Sequence, residues 1–462
     1  MKRNQISILI ISLFFLACKK SIQVAPPINP IVSEVVFSND SSAISSLTGI
    51  YTDMMLTQNG PTQFSASGIT LFTGLYSDEL RNPNITTFPE FQRSSLTEAS
   101  DKSLTDFLWD RAYRYIYTAN LCIEELNKTT KLTPWVKTKL LGEAKFVRAF
   151  CYFHLVNNFG GVPLPISSDY RINMKLGRAT EDAVYAQIIA DLKDAQSLLS
   201  TDYDNSGRVR PIKWAATALL ARVFLYRKDW TAAEAEASAV ISAGHYQLVD
   251  LADVFKKTSM ETIWQLQPVN IGVNTWEGSL FLPTSSPTAL PGYILTKSLI
   301  DAFESNDERR NKWVGARTYP ATGFPDSIFF YPAKYKVKSG AVSENYVVFR
   351  LAEQYLIRSE ARTYQNKLSE AQADLNVLRQ RARVVPITAS SADELLSAIE
   401  RERRVELFVE WGHRWYDLKR ANRANTVMLS TKPTTWKQSA LLWPIPYSQI
   451  RANPALQQNQ GY

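Results

Sequence analysis

The 462-residue chain is poor in the residues that build metal centres: it has three cysteines and three histidines. His154, His245 and His413 stand far apart, and no CxxC or HExxH spacing occurs, so the pattern offers no transition-metal ligand set. Cys122 and Cys151 fall on successive predicted helices, each within an apolar face. They could pair in an oxidising compartment, but the preferred reading is two unpaired small core residues. A formal net charge of +8 comes without any long basic run, which argues against a nucleic-acid arm. Long apolar runs are missing too. Ile6 to Ala17 is too short to cross a bilayer and is shaped like a secretory h-region behind Lys2 and Arg3.

Phe15-Leu16-Ala17-Cys18 ends that run as a lipobox-like sequence, in which Cys18 becomes the acylated first residue of the mature chain. This reading makes 1–17 a lipoprotein signal peptide. Residues 18–40, polar and carrying Pro26, Pro27 and Pro30, are then a flexible tether. The alternative is an ordinary cleaved signal with an incidental cysteine.

What the chain has in plenty is aromatic residues, with 11 Trp, 21 Tyr and 21 Phe. Many lie outside the periodic segments, which hints at a stacking surface. The densest stretch is 393–420, read as one long helix with Leu396, Ile399, Leu407 and Trp411 on its buried stripe and Ser391 and Glu394 as a capping box. Glu402, Glu406 and Glu410 share one face of that helix and need cations from elsewhere. Arg148, Arg222 and Arg358 sit on otherwise apolar helical runs, where an unpaired charge would cost several kcal/mol. The expectation is a set of structural ion pairs joining these arginines to Glu402, Glu406 and Glu410. A catalytic role for Glu406 and Glu410, as in glycosidase carboxylate pairs, is the weaker alternative because both lie on a continuous helix.

In chain order, helical patterns are expected over Asp40 to Leu56, Lys102 to Leu126 and Pro134 to Asn157, the last stopped by Gly160-Gly161-Val162-Pro163. Asn120 sits on an apolar face and needs hydrogen-bond partners. A further helix starts at Thr180, and Lys213 to Tyr226 and Trp230 to Ala243 form a hairpin. That hairpin echoes at an offset of 138, with Leu219, Tyr226, Ala233 and Ala237 answered by Ile357, Tyr364, Ala371 and Leu375. Small residues at helix contacts point to a mainly α, tetratricopeptide-like scaffold, with helix pairs over about 102–248 and 350–421. Between them lies a loop-rich insertion, 249–349, with a strand at Thr262 to Gln267 and many prolines. It supplies Trp276, Phe281, Tyr293, Tyr319, Phe324, Phe329, Phe330 and Tyr331, and loops on a rigid frame are where function usually resides.

Taken together, the lipobox, Trp109-x3-Tyr113 with Asn120, the run from Glu143 to Ala149 reaching Asn158-Phe159-Gly160-Gly161-Val162-Pro163, Glu400 to Leu407 with Gly412 to Arg420, Trp443-Pro444-Ile445-Pro446 and Gln458-Asn459-Gln460-Gly461-Tyr462 resemble the RagB/SusD family of nutrient-uptake lipoproteins. The resemblance implies one SusD-like domain over 41–462, lipid-anchored at the outer membrane and facing the exterior. It also implies a glycan or other oligomeric nutrient bound without cleavage, no cofactor, and a TonB-dependent barrel transporter as partner. Tyr76 and Asp78 fall near loops that border the ligand site in relatives, and Trp276 and Tyr293 fall in the variable insertion; these four are the expected ligand contacts. Lys19 and Lys20 follow the cysteine where surface-displayed relatives often carry acidic residues. Two other readings stay open: a surface glycan hydrolase using Asp301, Asp307 or Glu308, and a helical scaffold that binds protein alone.

Overall fold

The computed structural model describes residues 35–57, 63–204, 207–286, 289–319 and 327–462. Cys18, the lipobox, the tether as far as residue 34, and Phe324 lie outside them.

Helix α1, Asp40–Met55, starts where the Asn39 side chain accepts from the Ser42 amide. Helix α2, Gly68–Tyr76, is buried at every position and leads into the two-residue strand β1, Leu80–Arg81. A run of antiparallel helices follows: α3 (Asp110–Lys128), α4 (Pro134–Phe159), α5 (Glu181–Leu198), α6 (Lys213–Tyr226) and α7 (Trp230–Ile241), each packed on the next. Asn120 is satisfied on all sides: its Nδ2 donates to the carbonyls of Pro165 and Ser167, and its Oδ1 accepts from Arg148. Gly160, at φ 74°, ends α4, and Gly161 after it lets the Ala179 carbonyl approach, 2.3 Å from where a Cβ would lie.

The insertion begins with strand β2, Thr262–Leu266, and contains helix α8 (Trp276–Phe281), strand β3 (Ile294–Leu295), helix α9 (Glu308–Trp313) and the strands β4 (Val314–Tyr319) and β5 (Ser327–Pro332). It closes with β6, Tyr346–Arg350. Antiparallel pairing of β2 with β6, Leu266 opposite Tyr346, ties the insertion off at its neck. Every residue of both strands is buried, so the alternation at Thr262 to Gln267 marks a strand covered on both faces.

Helices α10 (Leu351–Tyr364) and α11 (Leu368–Arg381) resume the stack. They start at 351 and 368 where α6 and α7 start at 213 and 230, the same offset of 138 for both members of the pair. The insertion does not part the two hairpins. Trp230 stacks on Tyr364 with centroids 4.0 Å apart and planes 9° apart.

The single helix expected over 393–420 is two. Helix α12, Ala392–Glu406, stops at a turn, and α13, His413–Arg420, begins after it; α14, Ala424–Thr431, follows. In the turn Val409, Trp411 and Gly412 adopt φ of 53°, 43° and 80°. Such values are costly for a β-branched or bulky residue. Tertiary hydrogen bonds hold them: Val409 N–H donates to Glu79, Trp411 N–H to the Thr70 hydroxyl, and the Trp411 indole to the Val347 carbonyl. The stripe on α12 runs through Leu395 and Ile399, with Leu396 only half-buried.

The expected pairing of arginines is also corrected. Arg148 pairs with Asp191, Arg222 with Glu353 and Arg358 with Asp374, each through two nitrogens. The cations that answer the α12 glutamates come from the insertion, β6 and the end of α11. Arg309 reaches Glu402 at 2.5 Å and Glu406 at 2.9 Å. Arg350 reaches Glu406 at 2.6 Å, Glu410 at 2.9 Å and Glu261 at 3.0 Å. Arg379 pairs with Glu402, Arg381 with Glu406, and Lys334 with Glu410. Burial alone would raise the Glu406 carboxyl, but Arg381, Arg350 and Arg309 hold it well below the carboxylate range. Glu406 and Glu410 are therefore buried and charge-balanced, the reverse of an open catalytic pair.

Candidate functional site

Strand β1 pairs antiparallel with β3, Arg81 opposite Ile294, so the loop leaving Arg81 and the loop reaching Ile294 emerge at the same end. Strand β5 packs beside β3, and with β4 it forms a hairpin that joins them. The β1–β3 ladder and the hairpin thus lie side by side.

The first loop is strained. Asn84 N–H donates to the Asn82 side chain in an Asx turn, and Ile85 then stands exposed at φ 54°, an outlier for a β-branched residue. Phe88, at φ 53°, is anchored on Phe72 with centroids 4.9 Å apart. Strain of this kind clusters at ligand sites, where the surrounding structure sustains it.

The hairpin carries the aromatic residues. Alternation puts Gly315, Arg317, Tyr319, Phe329 and Tyr331 on one side of it, with Gly315 opposite Tyr331 and Arg317 opposite Phe329. Tyr319, Phe329 and Tyr331 are half-buried, and Tyr319 meets Phe329 edge-on at 6.3 Å. Gly315 has no side chain because the Tyr331 ring fills the space, coming within 2.2 Å of where a Cβ would lie. An aromatic ring covering a cross-strand glycine rigidifies a two-stranded ribbon. Arg317 clamps the neighbouring loop by donating to the carbonyls of Thr284, Ser286 and Ala289. On the other side Ile328 is 59% exposed, while Phe330 lies under the Arg310 guanidinium at 5.3 Å.

The four expected ligand contacts do not assemble on this face. Tyr76 has no exposure; its hydroxyl donates to the Ala440 carbonyl and its ring packs on Trp415 and Trp443. Asp78 is buried as the partner of Arg414 and Arg404. Tyr293 is buried against Phe281. These three are corrected to structural residues: all precede or flank the β1–β3 ladder, whose pairing draws them inward. Trp276 is half-buried at the start of α8, its indole donating to the Met55 carbonyl at 2.8 Å, which leaves part of its ring free.

The carboxylates of the hydrolytic alternative are engaged elsewhere. Asp307 is buried on Arg309 and caps α9, Asp301 is paired with Lys297 on the surface, and Glu308 accepts from Asn311. Sequence reasoning missed Gly315, Arg317 and Ile85. The β-branched and aromatic run Ser327 to Tyr331 was the available signal for the hairpin, and the prolines and glycines around it in the sequence made it read as loop.

Among the described residues, no group of three His, Cys, Asp or Glu side chains is placed to hold a metal ion, and Cys122 and Cys151 are buried free thiols. No described helix is long and apolar enough to cross a membrane.

Comparison with known proteins agrees with this architecture. Residues 67–225 match a SusD-like family model described as starch-binding associating with outer membrane, and residues 302–462 match the SusD family model. SusD-like protein P25 of Formosa agariphila is 26% identical, with 94% of each chain aligned. A laminarin binding SusD-like protein shares the fold at TM-score 0.74 and 23% identity, covering 92% of this chain and 100% of its own. So does surface glycan-binding protein A from Bacteroides fluxus, at TM-score 0.74, 23% identity, and 91% and 99% coverage. Matched in its N-terminal helices and again from the insertion to the C-terminus, the chain belongs to the SusD/RagB family.

Proposed function

We propose that the protein is a non-enzymatic glycan-binding lipoprotein of the outer membrane, held by acylation at Cys18, that passes its ligand to a TonB-dependent barrel transporter. The observation that carries the reading is the ribbon of Tyr319, Phe329 and Tyr331, stiffened by the Gly315–Tyr331 fit, beside the strained Ile85 loop. Aromatic faces stack on the apolar C–H surface of sugar rings, and Arg81 and Asn84, exposed at the end of β1 and in the loop that leaves it, offer polar atoms to hydroxyls. Trp276 is kept as a further contact. Relatives named for laminarin and surface glycans support the ligand class.

A helical stack holding irregular loops suits capture, since loops on a rigid frame keep their geometry when a ligand arrives. The test is isothermal titration against a panel of oligosaccharides, with product analysis of the same mixtures. Binding with intact products is expected. Release of shorter products would replace this reading with hydrolysis, and co-purification of the lipidated chain with an outer-membrane barrel tests the partner.

A further inference from the structure

At the opposite end of the β1–β3 ladder from the Arg81 and Ile294 loops, α12, α13, α14 and residues 78 and 298 wall a cleft of about 510 Å³. Four arginines line it, Arg401, Arg404, Arg414 and Arg423, against two carboxylates, Asp78 and Glu400. Asp78 is already saturated. Its Oδ1 accepts from Arg414 at 2.7 Å, and its Oδ2 accepts from Arg414 at 3.0 Å and from Arg404 at 2.6 Å. One carboxylate therefore answers two guanidinium groups. Glu400 accepts from Arg423 at 3.0 Å and stands 3.7 Å from Arg414. Glu79 adds no compensating charge, because burial and the Asp78 carboxylate push it up to about 8.

Unused donors remain. Arg404 Nε is buried without a partner, and Arg401 is exposed with no hydrogen bond or ion pair to the described residues. Arg423 is 49% exposed. Hydroxyls of Ser298, Thr426, Ser430 and Thr431 complete the wall. A second cleft of about 330 Å³, lined in part by Leu396 and Tyr364, shares Arg404, Arg414 and Arg423 with the first. Both volumes are in the range of small-ligand sites. Planar guanidinium groups match the oxygens of carboxylate and sulfate through paired N–H donors, and hydroxyl-rich walls suit sugar hydroxyls.

We propose that this arginine-walled cleft is a second saccharide site, which takes the anionic group, carboxylate or sulfate, of an acidic sugar unit. The inference rests on the reading of the chain as a glycan binder and adds to it a charge class and a location. Arg404 and Arg414 fix the anion from the buried side while Arg401 and Arg423 close over it from solvent.

The full-length chain is titrated with oligogalacturonate, with sulfated galactan fragments and with neutral maltooligosaccharides, at low and at high salt. The acidic probes are expected to bind at least about tenfold more tightly than the neutral ones at low salt, and less so at high salt. The double variant Arg401→Ala, Arg423→Ala, at two exposed positions, is expected to lose about tenfold for the acidic probes and nothing for neutral ones. Which acidic probe binds tells carboxylate from sulfate. Equal binding of acidic and neutral probes, or an unchanged affinity in the double variant, overturns the proposal. Tyr331→Ala separates the two sites: it is expected to weaken the neutral probes alone. Neutral probes indifferent to Tyr331→Ala would count against the loop face and leave the cleft standing.

Discussion

Arg350 grips Glu410 with two of its nitrogens, each 2.9 Å from a carboxylate oxygen, in an interior that admits almost no solvent to the arginine. The same guanidinium donates to Glu406 and Glu261, so it meets three carboxylates from two distant stretches of the chain. Replacing it with methionine keeps the bulk and removes the charge. Arg350→Met is expected to lower unfolding stability by about 3–5 kcal/mol, because the carboxylates stay buried with too few cations. Guanidinium denaturation checks this. A loss under about 1 kcal/mol would mean that Arg309, Arg381 and Lys334 suffice without it.

Glu277, buried at the first turn of α8, is pushed up to about 8 by its burial. It stays protonated in the fold while the same group ionises near 4.5 in the unfolded chain, so folding takes up a proton between these values. Stability from this residue is fully present below about 4.5 and falls as pH rises towards about 8, by about 1.4 kcal/mol per unit at most. Glu277→Gln mimics the neutral form. The difference in stability between variant and parent is expected to grow in the variant's favour across this window. A difference that does not change with pH would show that Glu277 is ionised in the fold.

Gly315→Ala tests the hairpin without touching an aromatic residue. A methyl group there collides with the Tyr331 ring, so the ring must leave its seat. Glycan affinity is expected to fall by about 1–3 kcal/mol, as it should for Tyr331→Ala, while the melting temperature of the helical frame stays within a few degrees. Titration calorimetry and thermal unfolding read the two effects separately.

Gly412→Ala probes the turn between α12 and α13. At φ 80° an alanine is strained, and its methyl group would lie 3.0 Å from the Tyr416 ring and 3.2 Å from Thr73. A cost of about 1–2 kcal/mol is expected in chemical denaturation.

The sequence made the frame legible because helical periodicity, small residues and the 138-residue echo all report on local packing. The break inside 393–420 was not legible, since it is imposed by Glu79, Thr70 and Val347, and propensity cannot register partners so far away. The arginine partners went astray for a related reason. Arg148, Arg222 and Arg358 did need carboxylates, but each found one on an adjacent helix, and Glu402, Glu406 and Glu410 drew their cations from the insertion, β6 and the end of α11. Tyr76, Asp78 and Tyr293 were placed near a loop face by position in the chain, and position does not say which way a side chain points across a two-residue ladder.

Segment 70–78 takes several of its hydrogen bonds from residues far towards the C-terminus. Thr70 takes the Trp411 amide, Lys432 donates to the carbonyls of Leu75 and Tyr76, and Arg414 holds Asp78. During synthesis those partners emerge roughly tens of seconds later. Over that interval Phe72 can already pack on Phe88, Phe91 and Phe107, but the polar groups of the segment wait for the late half, so the early helix is locked in place only when the last third of the chain has been made.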